Sequence, residues 1–219
     1  MIADLFSTLP PLERHLVSRV LASCKCFQVS AGEARRADDF SRAALLVVES
    51  GTVVVVCGPT LGRRMVVAVS GSGGVLAAPS GDQRLVALED AAVLAVTADA
   101  WRCLLGRTAA AEVIGEALLE ALRERELSLS QFARVAHVER VRGKLLQLAR
   151  VHGRCVDGAV QVELPLTHAL LAEMVGSARE TVTGAVRSLE QEGFLVREGG
   201  RYRLMPAPEV VASPAPEPV

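Results

Sequence analysis

The sequence predicts an α+β chain: an antiparallel sandwich or barrel of short strands, a long helix, and a small helical domain ending in a β-hairpin. Three observations predict it. Val- and Leu-rich runs broken by glycine fill residues 27–98. From Ala109 to Ala136 only Gly115 interrupts a stretch of good helix formers. Two amphipathic helical patterns and a Gly-Gly turn then occupy residues 164–205. At roughly 100–200 residues per domain, 219 residues allow one or two domains. A composition 50% apolar and 22% charged can bury a sizeable core.

Composition also excludes classes. Seven aromatic residues are too few for a reader that stacks single-stranded bases on ring platforms. A net charge of −1 gives no global basic field, although a small domain can still be locally basic. Five cysteines, an odd number, argue for reduced thiols rather than a disulfide scaffold. The N-terminus does not read as a signal peptide. No apolar run approaches the roughly 20 residues of a membrane span. A soluble, cytoplasmic protein without a membrane partner is expected.

Residues 1–30 read as a helical lead begun by Pro10-Pro11, with Leu12, Leu16 and Val20 at helical spacing. Strands follow at Leu45–Glu49, Thr52–Val56, Met65–Val69, Arg84–Leu88 and Ala92–Thr97. They are separated by Gly51, Gly58-Pro59, Gly71–Gly74 and Pro79-Ser80-Gly81. In the long helix, Leu118, Leu122, Arg125, Leu129, Phe132 and Ala136 recur at alternating spacings of 4 and 3. That seam, on a helix roughly 40 Å long, needs a partner: its own sheet or a second copy of the chain. Val138–Val151 is a further amphipathic helix, and Ala159–Leu164 alternates as a strand. Residues 206–219 hold five of the ten prolines and read as a disordered tail.

The chemistry concentrates at residues 164–205. Thr167 is a good N-cap for a helix with Leu170, Leu171, Met174 and Val175 on its inner face. Gly176 ends it with a sharp turn. Ser177-x-x-Glu180 has the capping-box pattern of a next helix, whose Val182, Val186 and Leu189 face inward. The outer face of that helix then begins with Arg179, Glu180, Thr183, Gly184 and Arg187. Polar side chains in the first turns, with no bulky apolar group among them, are what a helix needs to enter the major groove. Phe194–Arg197 and Arg201–Leu204 flank Gly199-Gly200, a hairpin signal, and make a wing with Arg197, Arg201 and Arg203 suited to phosphates. Residues 137–205 carry ten basic and eight acidic side chains, so affinity would come from a local arginine stripe.

The stretch Leu-Ala-Glu-Met-Val-Gly-Ser-Ala-Arg-Glu-Thr-Val, with the later Leu-Glu-x-Glu-Gly-Phe-Leu, resembles the winged helix-turn-helix of the CRP/FNR family of bacterial transcription regulators. Gly32-Glu33 and Val48-Glu49-Ser50-Gly51 resemble landmarks of that family's cyclic-nucleotide-binding-type β-roll. The resemblance implies a jelly-roll-like effector domain at 1–107, a dimerisation helix at 108–136 and a winged helix-turn-helix at 137–205, ahead of the 206–219 tail. It implies a homodimer, with Leu118, Leu122, Arg125, Leu129 and Phe132 as the dimer seam, on a pseudo-palindromic double-stranded DNA operator. Base readers would be Arg179, Glu180, Thr183 and Gly184; phosphate contacts would be Thr167, His168, Ser177, Arg187, Arg201 and Arg203. RNA polymerase and a nucleotide effector are further candidate partners. Two positions depart from the family pattern: Gly184, where another Arg is usual, and Ala178, where a capping Ser is usual and Ser177 could take over.

The effector half departs further. Cyclic-nucleotide binders of the family carry a Glu for the ribose and an Arg-Ser or Arg-Ala for the phosphate. Here Val75 stands in place of the Glu, and Leu85 follows Arg84. Losing a polar partner in a closed pocket costs more than losing a methyl, so cyclic AMP binding in the usual manner is not predicted. Gly74, Arg84 and Arg125 are the candidate effector contacts. Arg125 lies on the apolar seam between Glu124 and Glu126; it either snorkels or pairs with Glu126 of a second copy, or it meets an anionic ligand. Cys24-Lys25-Cys26 is too short a set for an iron–sulfur cluster, though two thiols on one strand would share a face and allow redox switching. No haem signature and no metal-spaced set is present. A nucleotide-binding signalling module acting through a protein partner is the alternative reading. No nucleophile elbow, phosphate loop or paired carboxylates point to an enzyme.

Overall fold

Two four-stranded antiparallel sheets build the N-terminal half, and the uninterrupted apolar runs of the sequence are its doubly buried strands. The structure is a computed structural model that describes residues 4–60, 63–132, 136–198 and 200–205. The chain divides into two compact units, Met1–Glu126 and Leu127–Val219.

In the first unit, α1 (Pro11–Leu21) precedes β1 (Lys25–Val29), β2 (Ala34–Arg36), β3 (Ala43–Ser50), β4 (Val53–Thr60), β5 (Arg63–Ser70), β6 (Val75–Ala77), β7 (Arg84–Ala87) and β8 (Ala91–Thr97). One sheet runs β1-β8-β3-β6 and the other β2-β7-β4-β5. Alternate residues of a strand point to opposite faces. Leu46 and Val48 of β3 and Val93 and Ala95 of β8 therefore join Val53, Val55 and Leu85 of the second sheet in one cluster. Leu45, Val47, Leu94 and Val96 face the other way, against helical residues including Val17, Leu21, Leu104 and Ile114. This second cluster brings α1 together with α2 (Ala98–Leu105) and the start of α3 (Thr108–Phe132). Thr97 caps α2 by accepting from the Ala100 amide at 3.3 Å.

Two expectations for this half are corrected. The helical lead ends at Leu21, and residues 25–29 pair as a strand with β8. Cys24 consequently lies outside β1, and only Cys26 is on it. Gly51, expected as a break, is also a close approach: it has φ +74°, and a Cβ there would sit 2.4 Å from the Asp90 carbonyl oxygen.

The long helix is α3, of 25 residues. Ala110 and Ile114 in its first turns are buried in the helical cluster. Farther along, Leu118, Leu122 and Leu129 are 39%, 53% and 68% exposed, so the chain's own sheet does not cover the seam. Arg125 is exposed as well, and no guanidinium is buried there. The seam does not reach Ala136, which has extended backbone and is the N-cap of the next helix. The Phe132 side chain lies outside the described residues.

The second unit holds α4 (His137–His152), β9 (Gly153–Val156), β10 (Ala159–Val162), α5 (His168–Val175), α6 (Arg179–Gln191), β11 (Leu195–Glu198) and β12 (Arg201–Leu204). Its sheet order is β11-β12-β10-β9, so the expected wing joins a second hairpin turned at Asp157 and Gly158, both at positive φ. Apolar faces of all three helices are buried, with Val141, Leu145 and Leu148 on α4 and Val182, Val186 and Leu189 on α6. Lys144, Gln147 and Ser177 are polar residues buried with them. Lys144, 6% exposed, donates to Ser128 Oγ at 2.8 Å and to Gln147 Oε1 at 2.7 Å, joining the last turns of α3 to α4. Gly199 and residues 206–219, expected as part of the wing turn and as the tail, lie outside the described residues.

Candidate nucleic-acid interface

The geometry of α5 and α6 follows from their caps. Thr167 Oγ1 accepts from the Leu170 amide at 3.1 Å and starts α5. Gly176 ends it at φ 62°, ψ 38°, the left-handed conformation that glycine adopts without a Cβ penalty. Three residues later, at Arg179, α6 begins. Its N-cap is Ala178, and no side chain caps it. The expected cap from Ser177 is corrected: Ser177 is buried and its hydroxyl bonds His137 Nδ1 at 3.0 Å, across 40 positions of sequence. That contact also removes Ser177 from the groups free to meet a phosphate.

Burial of Val182, Ala185, Val186 and Leu189 turns the opposite face of α6 outward. Arg179, Glu180, Gly184 and Arg187 are exposed on it. Among the described residues the Arg179, Glu180 and Arg187 side chains form no ion pair, and a Cβ on Gly184 would meet open space. Thr183 is half-buried: its hydroxyl donates to the Arg179 carbonyl at 2.9 Å and contacts His168 Nδ1 at 2.9 Å. His168 Nε2 is buried and bonds to nothing among the described residues. Burial, then the charges of Arg197 and Arg179, push the His168 pKa down from its ordinary value against the opposing charge of Glu190, and the lowered pKa favours the neutral ring.

The wing is wired differently. Arg201 pairs with Glu163 at 2.6 Å, and Arg203 with Glu198 at 2.8 Å. Arg154 also reaches Glu163, at 3.2 Å. A hydrogen bond from Gln161, helped by these arginines, holds the Glu163 carboxyl below its ordinary pKa. Arg197 lies 5.4 Å over the Tyr202 ring. Arg142, on α4, bonds Glu139 and Glu192 and lies 4.7 Å over Phe194, which fastens α4 to the end of α6.

The candidate effector residues are not brought together. Gly74 is in the turn before β6, Arg84 opens β7 and is exposed, and Arg125 is exposed on α3. No hydrogen bond or ion pair joins the three among the described residues. Val75 is buried in the apolar cluster beneath the helices. All five cysteines are free thiols. Burial and the neighbouring Glu49 push the Cys26 pKa up, which disfavours the reactive thiolate. Among the described residues no group of three metal-ligating side chains occurs, and no helix is long and apolar enough to cross a membrane. Sequence reasoning missed Lys144, the His168–Thr183 contact and the Glu163 cluster; the Asp157-Gly158 pair was a signal for the extra hairpin.

A two-sheet roll, a long helix and a winged helix-turn-helix make up a fold that this chain shares with solved structures of CRP/FNR-family transcription regulators. Residues 139–207 match the family model of the Crp-like helix-turn-helix domain. A CooA mutant from Carboxydothermus hydrogenoformans is 21% identical, with 85% of each chain covered and a TM-score of 0.73. FixK2 from Bradyrhizobium japonicum is 23% identical, with 84% of this chain and 93% of that one covered and a TM-score of 0.66. The c-di-GMP responsive global regulator CLP of Xanthomonas campestris is 18% identical, with 88% and 99% covered and a TM-score of 0.66. No curated protein matches the chain.

Proposed function

We propose that the chain is a cytoplasmic, sequence-specific transcription regulator that binds a pseudo-palindromic operator as a homodimer. One observation carries the reading: the first half of α6 exposes Arg179, Glu180 and Arg187, whose side chains form no ion pair among the described residues. Arg179 can donate two bonds to a guanine, and Glu180 can accept from a cytosine amino group. Gly184 lets the helix backbone approach the base edges, and Thr183 lies beside it on the same face. Thr167 and Arg187, at the edges of the groove-facing helix, are the phosphate contacts of this reading. Arg201 and Arg203 join them by exchanging Glu163 and Glu198 for phosphate. The exposed leucines of α3, with Phe132 and Arg125, form the seam between two copies. RNA polymerase is the further partner of such a regulator on DNA.

The roll supplies regulation in this reading. Its buried Val75 and exposed Arg84 do not reproduce the usual cyclic-nucleotide contacts, so the effector is of another kind or absent. Calorimetric titration with cyclic mono- and dinucleotides distinguishes these: heat from one of them assigns the effector class, and heat from none supports a regulator without a cyclic nucleotide.

Selection of bound sequences from random DNA tests the main reading. A two-fold symmetric motif with half-sites about one helical turn apart, roughly 10 base pairs, is the expected outcome. Recovery of sequences without any common motif would contradict it.

A further inference from the structure

We propose that His168 and Thr183 are positioning residues for the base-reading side chain Arg179, which makes them determinants of operator specificity rather than contacts to DNA. The inference rests on the DNA-reading function proposed above. His168 is the first residue of α5, and Thr183 and Arg179 are one turn apart on α6. The Thr183 hydroxyl has a single proton, and it goes to the Arg179 carbonyl at 2.9 Å. Thr183 therefore accepts from His168 at 2.9 Å, and the imidazole carries its proton on Nδ1. The result is a continuous link from the α5 N-terminus through the Thr183 hydroxyl to the backbone of Arg179.

That link falls where α6 is otherwise loosest. No side chain caps the helix, and Arg179 is its first residue. First turns without a cap fray, because their amides lack partners. A bidentate contact to a base edge requires its donor to be held within about 0.5 Å and 10–20°. Holding the Arg179 carbonyl from inside the helix-turn-helix fixes the point from which the guanidinium projects. His168 is itself half-buried, with Nε2 shielded from solvent. The assignment moves His168 and Thr183 from the DNA surface to the scaffold beneath it.

The test is a per-position base-preference profile of the full-length protein, measured for the wild type, Arg179→Ala, Thr183→Val, His168→Ala and His168→Asn, alongside thermal unfolding of each. Arg179→Ala identifies the base pair that this arginine reads. Thr183→Val keeps the shape and removes the hydroxyl; it should flatten preference at that same base pair by about fivefold or more, within the roughly 5–150-fold that a bidentate contact provides. Other positions should keep their preferences. His168→Ala should flatten the same base pair, and His168→Asn, which places an amide donor where Nδ1 stood, should restore it. A selective wild type whose Thr183→Val and His168→Ala profiles are unchanged, or are weakened equally at every position, overturns the positioning role alone. A wild type that selects no sequence overturns the DNA reading beneath it as well.

Discussion

The two units of the chain bury apolar residues in the same way and place their polar residues differently. In the N-terminal roll, β3 and β8 are apolar on both faces because a second sheet covers one side and helices cover the other. Its polar groups serve the fold: Glu13 holds Arg107 at 3.0 Å, and Thr52 donates to Glu89 at 2.7 Å. In the C-terminal unit, α6 buries one face and leaves Arg179, Glu180 and Arg187 outside, with no ion pair among the described residues. Charge left without an ion pair on this face is what the proposed DNA reading rests on. The wing makes the contrast within the same unit, since Arg201 and Arg203 are already paired.

The largest expected effect separates the seam from both cores. Leu122→Glu places a charge in each of the two copies of the α3 seam and removes two leucines, each worth about 1.5–3 kcal/mol of burial. Sedimentation should show a monomer that keeps both folded units; an unchanged dimer would locate the interface elsewhere. Next in size, Leu189→Ala empties a fully buried site on α6 at a cost of about 2–5 kcal/mol. Scanning calorimetry should show a lowered transition for the C-terminal unit and an unaltered one for the roll, whereas a uniform shift would mean that the two units unfold together. Arg201→Ala should reduce the salt dependence of DNA binding by about one unit of slope and leave base preference alone. A loss at one base pair only would make Arg201 a base reader.

The smallest effect concerns pH. Burial lowers the pKa of His152, and burial with Arg197 and Arg179 lowers that of His168, against Glu190 on α6, which raises it. Both folded values lie below the ordinary 6.5, so the unfolded chain binds more protons than the folded one in the window just below it. Stability of the C-terminal unit should be complete above about 6.5 and fall as pH is lowered from there toward the folded values. Denaturation profiles that are flat through this window would show that the two rings titrate alike in both states.

The same contrast explains what the sequence revealed. The helix-turn-helix was legible because its determinants are local: the Thr167 cap, the left-handed Gly176 and the spacing of Val182, Val186 and Leu189 all act within a few residues. The long strands were legible from their apolar runs. β2 and β6, at three residues each, are too short to carry a period, and β1 was absorbed into the helical lead. What was misread depends on distant partners. Ser177 resembles a cap locally, but His137 takes its hydroxyl. Lys144 carries no local signal of its burial, yet Ser128 and Gln147 bond it inside the unit. The ion pairs of Arg201 and Arg203 carry no local signal, because Glu163 lies 38 residues from Arg201 and Glu198 lies across the wing turn. The ends of the α3 seam are set by where α4 begins, which periodicity alone does not mark.

The central claim is that the exposed start of α6 reads base pairs, and one comparison tests it most directly. Base-preference profiles of the wild type and Arg179→Ala should differ at one base pair per half-site, with affinity for the selected site lowered by about 1–3 kcal/mol. An Arg179→Ala profile that loses affinity equally for all sequences, with every base preference intact, would contradict the account.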